Sequence, residues 1–155
     1  MRAIAILLCL LLPITSGADA DTSKFTITVA GLRAGSMTVK SEEGGGVYKV
    51  NASARSSGIA AAFMDLWADG GVNGRVSGSS YRPSVFVEQV KGRKGLKKRT
   101  FRYNGNGVPT ITHDPARPPG KRRDYHASPS AQGGTLDPLT AAYAILRDRP
   151  ADEGC

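Results

Sequence analysis

The sequence predicts a mainly β (α+β) fold, in which a curved antiparallel sheet or half-barrel of about seven strands carries two helices. Apolar and polar residues alternate with a period of two over several short segments, and glycine-rich turns separate these segments. Aromatic residues make up only 6% of a chain that contains 19 glycines, which disfavours a helical bundle.

Alternation of apolar and polar residues predicts three strands in the first part of the chain, up to residue 55. In the first of them, Phe25, Ile27 and Val29 alternate with two threonines. Glycine-containing turns follow the first two strands, so the segment reads as consecutive hairpins. The predicted strands are residues 24–30, 36–40 and 47–55.

A short helix, near residues 59–64, is predicted next. Ile59, Phe63, Leu66 and Trp67 would share one helical face, and Ser57 is placed to cap the first turn. The alternation typical of a strand returns over residues 66–76. Small residues on one side of this long strand let the sheet curve.

Three further strands are predicted at residues 84–90, 97–103 and 108–112. Asn104-Gly105 between the last two favours a two-residue type I′ turn, although Gly107 leaves a longer loop open. Residues 113–134 show no period and are predicted to be a loop.

The last predicted element is a helix that begins at Asp137-Pro138. Aspartate is a preferred N-cap residue, and proline is favoured in the first helical position. Its spacing predicts a buried stripe made of Leu139, Ala142, Tyr143 and Leu146.

The N-terminus has the three parts of a secretory signal peptide. Arg2 supplies a positive charge, residues 3–14 are apolar, and the small residues Ala18 and Ala20 form a signal-peptidase cleavage site. The apolar run is shorter than the roughly 20 residues that cross a bilayer. We therefore expect cleavage after Ala20 and a periplasmic or secreted mature domain, residues 21–155, that has no transmembrane segment.

Catalytic and metal-binding patterns are absent from the sequence. His113 and His126 lack zinc-ligand spacing, and His113 and the adjacent Asp114 would point to opposite sides of an extended segment. Cys9 is removed with the leader, which leaves Cys155 either free or in an intermolecular disulfide. We expect no enzymatic activity, no metal and no cofactor.

The strongest compositional signal is basic, in a chain with a formal net charge of +8. Residues 91–102 contain seven lysines and arginines and no acidic residue. Because export disfavours a nucleic-acid partner, we expect an anionic envelope component, or a charged hairpin that only keeps the protein soluble. The residues are Lys91, Arg93, Lys94, Lys97, Lys98, Arg99 and Arg102.

Several local motifs occur together in the chain. The sharpest is Gly-Thr-Leu-Asp-Pro-Leu-Thr at residues 134–140, and Tyr48, Arg82-Pro83 and Tyr103-Asn104-Gly105 accompany it. Their order and spacing resemble the bacterial exported proteins of the domain-of-unknown-function 3108 family. The resemblance implies a curved sheet wrapped partly around helices, similar to the half-barrels of periplasmic lipoprotein carriers. Similar relatives continue past the position of Cys155, so it also implies a shortened or truncated chain.

The preferred functional prediction is a non-enzymatic exported protein that holds an apolar or lipid-like ligand on the concave face of its sheet. Small side chains opposite an apolar helix stripe are typical of a ligand pocket. The predicted lining residues are Leu66, Val72, Gly74, Val76 and Tyr143. The alternative is an interaction module that binds anionic envelope surfaces through the basic hairpin.

Overall fold

The computed structural model describes residues 19–63, 65–105, 107–116 and 127–147, and in them the protein is one antiparallel sheet with three helices. The strands are β1 (Asp19–Val29), β2 (Leu32–Gly44), β3 (Val47–Ser56), β4 (Trp67–Ser77), β5 (Ser80–Gly92), β6 (Gly95–Tyr103) and β7 (Pro109–Asp114). The helices are α1 (Gly58–Phe63), α2 (Pro129–Gln132) and α3 (Pro138–Arg147).

Strand order in the sheet equals strand order in the chain. Each strand pairs antiparallel with its neighbour in sequence, from β1 to β7. Among the described residues β1 and β7 do not pair with each other, so the sheet is open rather than a closed barrel. The predicted antiparallel β fold, with a short helix after Gly58 and another after Asp137, is confirmed.

The two faces of the sheet differ because α3 packs on only one of them. Tyr48, Val50, Val72, Tyr81 and Phe86 are the buried apolar residues of this side, which we call the helix face, and α3 contacts β3, β4 and β5 there. Side chains of the alternate register point to the opposite side, which we call the open face. The core therefore lies under α3, near the middle of the sheet.

Helix α3 packs differently from the predicted stripe. Leu139 and Tyr143 are half-buried against the core, as predicted, but Ala142 is exposed and Leu146 is 57% exposed. The fully buried residue of the helix is Thr140. The helix is thus held on the sheet by two of the four predicted apolar residues and by a buried polar contact, which is described below.

Three local predictions also differ from the structure. Within the described residues, the hydroxyl of Ser57 is buried without a hydrogen-bond partner and does not cap α1. Ile59 and Phe63 of α1 are 58% and 73% exposed, and the chain enters β4 at Trp67. Asn104 accepts a hydrogen bond from the Gly107 amide, so the β6–β7 connection is the longer of the two loops considered.

Several predictions fall outside the described residues. They concern the leader up to residue 18, the two cysteines and His126. Within the described part of the chain, no helix has both the length and the apolar character needed to cross a membrane.

Candidate functional site

A polar contact that we call the helix clamp fixes α3 to the sheet. Asp137 accepts hydrogen bonds from the backbone amides of Leu139 and Thr140, at 3.1 and 2.9 Å, and so caps the helix as predicted. Its second oxygen accepts the Thr140 hydroxyl at 2.6 Å, and Thr140 Oγ1 lies 2.8 Å from Tyr48 Oη. Asp137, Thr140 and Tyr48 are all at most 2% exposed. The clamp therefore links the helix N-terminus to the third strand through groups that water does not reach.

A second polar cluster holds the other end of α3. Glu43 of β2 accepts hydrogen bonds from Arg147 at 2.5 and 2.6 Å, from Tyr81 at 3.2 Å and from Tyr143 at 3.3 Å. The Glu43 side chain is only 17% exposed. The sequence did not indicate this position, because Glu43 lies between the predicted strands 36–40 and 47–55, in a segment that was predicted to be a turn. The signal that could have found it is alternation in β2, which places Glu43 on the same side as Val39.

Four tyrosines near α3 have raised pKa values. Burial raises the pKa of Tyr48 to about 12, although its hydrogen bond with Thr140 acts in the opposite direction, and burial raises the pKa of Tyr103 to about 12. Burial also raises the pKa of Tyr81 and of Tyr143. All four hydroxyls therefore stay protonated at physiological pH.

An apolar trough lies beside α3 on the helix face. It is a cavity of about 250 Å³ between the helix residues Pro138 and Leu139 and the small or apolar side chains of four strands. Phe25 and Ile27 of β1, each 40% exposed, extend the apolar surface on the same face. The strand residues that line the trough include Met37, Ala52, Ala54, Ala68, Gly70 and Val90.

The trough has a charged end. Arg99 donates a hydrogen bond to Glu88, and His113 is the register partner of Arg99 on β7. These residues and Lys97 line a second cavity of about 480 Å³. Glu88 and Val90 border both cavities, so the apolar and charged surfaces are continuous.

The predicted ligand-lining residues lie mostly in the core, at the other end of β4. Val72 is 3% exposed, and Val76 and Tyr143 pack against the same buried cluster. A Cβ on Gly74 would lie 2.6 Å from Tyr48 Cε1 and 2.8 Å from Pro83 Cα, so this glycine permits a close approach rather than an open pocket. Leu66 precedes β4 and lies against Gly92. The open apolar surface is formed instead by Ala68 and Gly70, and the ligand role of the five residues stays a prediction.

The predicted basic patch is divided by the pleat of the sheet. Lys97 and Arg99 lie on the helix face, whereas Lys91, Lys98 and Arg102 lie on the open face. Lys91 is paired with Asp65 at 3.4 Å, and Arg99 with Glu88. The remaining two, Arg93 and Lys94, occupy the β5–β6 turn, where Arg93 donates to the Phe63 carbonyl at 3.3 Å.

The described residues hold few groups for catalysis. They contain no set of three or more histidines, cysteines or carboxylates that could hold a metal ion. His113 and Asp114 are consecutive in β7 and pair with Arg99 and Lys98, so they point to opposite faces, as the sequence indicated. These two residues therefore do not form a proton-transfer pair with each other.

No curated protein and no solved structure matches the chain. The family model described as a protein of unknown function, DUF3108, matches residues 24–155, a range that contains the clamp, the trough and most of the sheet. The chain therefore belongs to the DUF3108 family.

Proposed function

We propose that the protein is exported and that it binds an anionic single-chain amphiphile, such as a fatty acid, without chemical conversion. The apolar chain lies in the trough beside α3, and the acidic head lies at the charged end near Lys97 and Arg99. The observation that carries the proposal is the continuity of the two cavities through Glu88 and Val90.

The size and lining of the two surfaces support this ligand class. Together the cavities, about 250 and 480 Å³, reach the ~300–1,000 Å³ typical of small-molecule sites. The trough offers almost only apolar contacts, which favour an acyl chain over a polar metabolite. Lys97 is exposed and has no carboxylate within 4 Å among the described residues, so an acidic head has a cation available.

The helix clamp has a supporting role in this proposal. Leu139, which lines the trough, is the residue between Pro138 and the clamp residue Thr140. Because Asp137 and Thr140 fix the first turn of α3, they fix one wall of the trough. The site is thus largely formed before a ligand arrives.

Filling the trough should block binding. A Cβ on Gly70 would meet Phe86 and Leu139 at 3.6 and 3.7 Å, which are ordinary contact distances, so Gly70→Leu is expected to fold and to occupy the trough. Its affinity for fluorescent fatty-acid probes should fall about tenfold or more, since each lost methylene contact is worth ~0.8 kcal/mol. Fluorescence titration over several chain lengths measures this.

The matched control is Asn73→Leu, which adds a leucine to the same strand on the open face. It should bind the probes as the unmodified protein does. The proposal fails if the unmodified protein binds no probe of any length, or if Gly70→Leu, shown to be folded by its circular dichroism, binds normally.

A further inference from the structure

The two faces of the sheet carry opposite charge balances. Among the described strands, register places ten lysines and arginines on the open face and only three carboxylates, Glu42, Asp69 and Asp114. On the helix face the strands carry four carboxylates and the two cations Lys97 and Arg99. The positive charge of the described strands is therefore concentrated on the face opposite α3.

Most of the open-face cations are available to a partner. Arg55 is paired with Asp69 and Lys91 with Asp65. In the described part of the chain, none of the other eight has a carboxylate oxygen within 4 Å of its charged nitrogens. Five of these eight lie near the middle of the open face and are exposed. We call them the central field, namely Lys40, Lys49, Arg75, Arg82 and Arg102.

These cations spread in two dimensions. Lys40 lies on β2 and Arg102 on β6, four strand spacings or about 19 Å apart across the sheet. The open-face cations also extend in the strand direction. Arg75 and Arg82 lie near one end of the strands and Arg55 near the other, eight residues or about 27 Å away. A linear polyanion would follow one row of cations, whereas a planar array of phosphates matches a field of this shape.

We propose that the open face docks on an anionic phospholipid bilayer. The surface is wider than the basic hairpin and differs from it, because the central residues come from β2 to β6 and only Arg102 among them belongs to the hairpin. Juxtamembrane basic residues attract anionic lipid surfaces within about one Debye length, roughly 8 Å at physiological salt. The proposal rests on residues outside the amphiphile site and stands independently of it.

Neutralising the field should weaken binding to vesicles. The variant Lys49→Gln, Arg75→Gln, Arg82→Gln removes three exposed charges from the open face. Its affinity for vesicles of equal parts phosphatidylglycerol and phosphatidylcholine should fall about a hundredfold, since each basic residue near the surface contributes a factor of about five. Vesicle sedimentation at low and at physiological salt measures the affinity, and added salt should weaken binding by the unmodified protein.

A control of equal charge separates the central field from the overall net charge. The variant Arg33→Gln, Arg93→Gln, Lys94→Gln also removes three exposed charges, but Arg33 lies at the end of β2 and the other two lie in the β5–β6 turn, so none belongs to the central field. It should retain binding within about threefold. The proposal is overturned if the control loses as much affinity as the face variant, if the unmodified protein does not bind the anionic vesicles, or if it binds a polynucleotide and not the vesicles.

Discussion

Asp137 connects the local geometry of one helix terminus to the packing of the sheet. One carboxylate oxygen caps α3 and the other holds the hydroxyl of Thr140, which in turn contacts Tyr48. Asp137 accepts hydrogen bonds from three donors and is only 1% exposed. Truncating its side chain would therefore leave all three buried donors without an acceptor. This explains in physical terms why the Asp-Pro-Leu-Thr segment stands out as a motif.

Removing the Asp137 side chain should therefore destabilise the protein more than the loss of an ordinary N-cap does. Asp137→Ala is expected to lower the free energy of unfolding by about 2–3 kcal/mol, since loss of the cap costs ~0.5–2 and the buried Thr140 hydroxyl loses an acceptor. Asp137→Asn is the control, because its amide oxygen can still accept the two backbone amides. Urea unfolding distinguishes them, and equal losses for both variants would contradict the assigned role of the cap.

At the scale of elements, alternation predicted all seven strands because each strand has one side against a core or trough and one toward solvent. The residues at which the strands begin and end were less predictable. β1 begins at Asp19 and β2 extends to Gly44, since hydrogen bonding to a neighbouring strand continues past the apolar residues. The short helix α2 fell inside the predicted loop, where four residues are too few to show a period.

The candidate site was less predictable than the strands. Alternation puts Val72 and Gly70 on the same side of β4, but it does not say which part of that side α3 covers. The covered part, around Val72, became core, and the uncovered part, around Gly70, became trough. The Glu88–Arg99 contact likewise depends on the β5–β6 register, which residue types alone do not give.

The contact between α3 and the sheet should weaken in alkali. The folded protein holds the Tyr48 and Tyr103 protons up to a pKa of about 12, whereas the unfolded chain releases them near 10. The stability that this difference contributes is present below pH 10 and is lost as pH rises towards 12. The free energy of unfolding should fall by up to about 1.4 kcal/mol per pH unit for each tyrosine.

Urea midpoints measured at intervals from pH 9 upward test this, with Tyr103→Phe as the comparison. That variant removes one titrating group without touching the Tyr48–Thr140 bond, so its stability should decline less steeply. A midpoint that does not change above pH 10 would contradict the burial of these hydroxyls.

At the scale of the whole molecule, the sheet separates two surfaces with different chemistry. The helix face combines a core, a trough and a slight excess of carboxylates, and the open face is strongly basic. The sequence showed the positive charge but assigned it to one hairpin, because a run of lysines and arginines is visible in one dimension. Charges such as Lys40, Lys49 and Arg75 become neighbours only when the strands pair.

The proposed export also belongs to this scale. Cleavage after Ala20 would remove Asp19 and Ala20, the two β1 residues that pair with Glu43 and Glu42, and would leave Asp21 as the first residue. N-terminal sequencing of the protein recovered outside the cytoplasm should begin at Asp21. Recovery of the intact precursor from the cytoplasm alone would contradict export.

The meander order has a consequence for the order of folding events. Each strand finds its partner across a short connection, so the sheet can assemble from neighbouring hairpins with little loss of loop entropy. Helix α3 must instead return to β3, and Tyr48 and Thr140 are 92 residues apart. We therefore expect the helix to dock on a sheet that has already formed, so that its contacts affect the rate of unfolding more than the rate of folding.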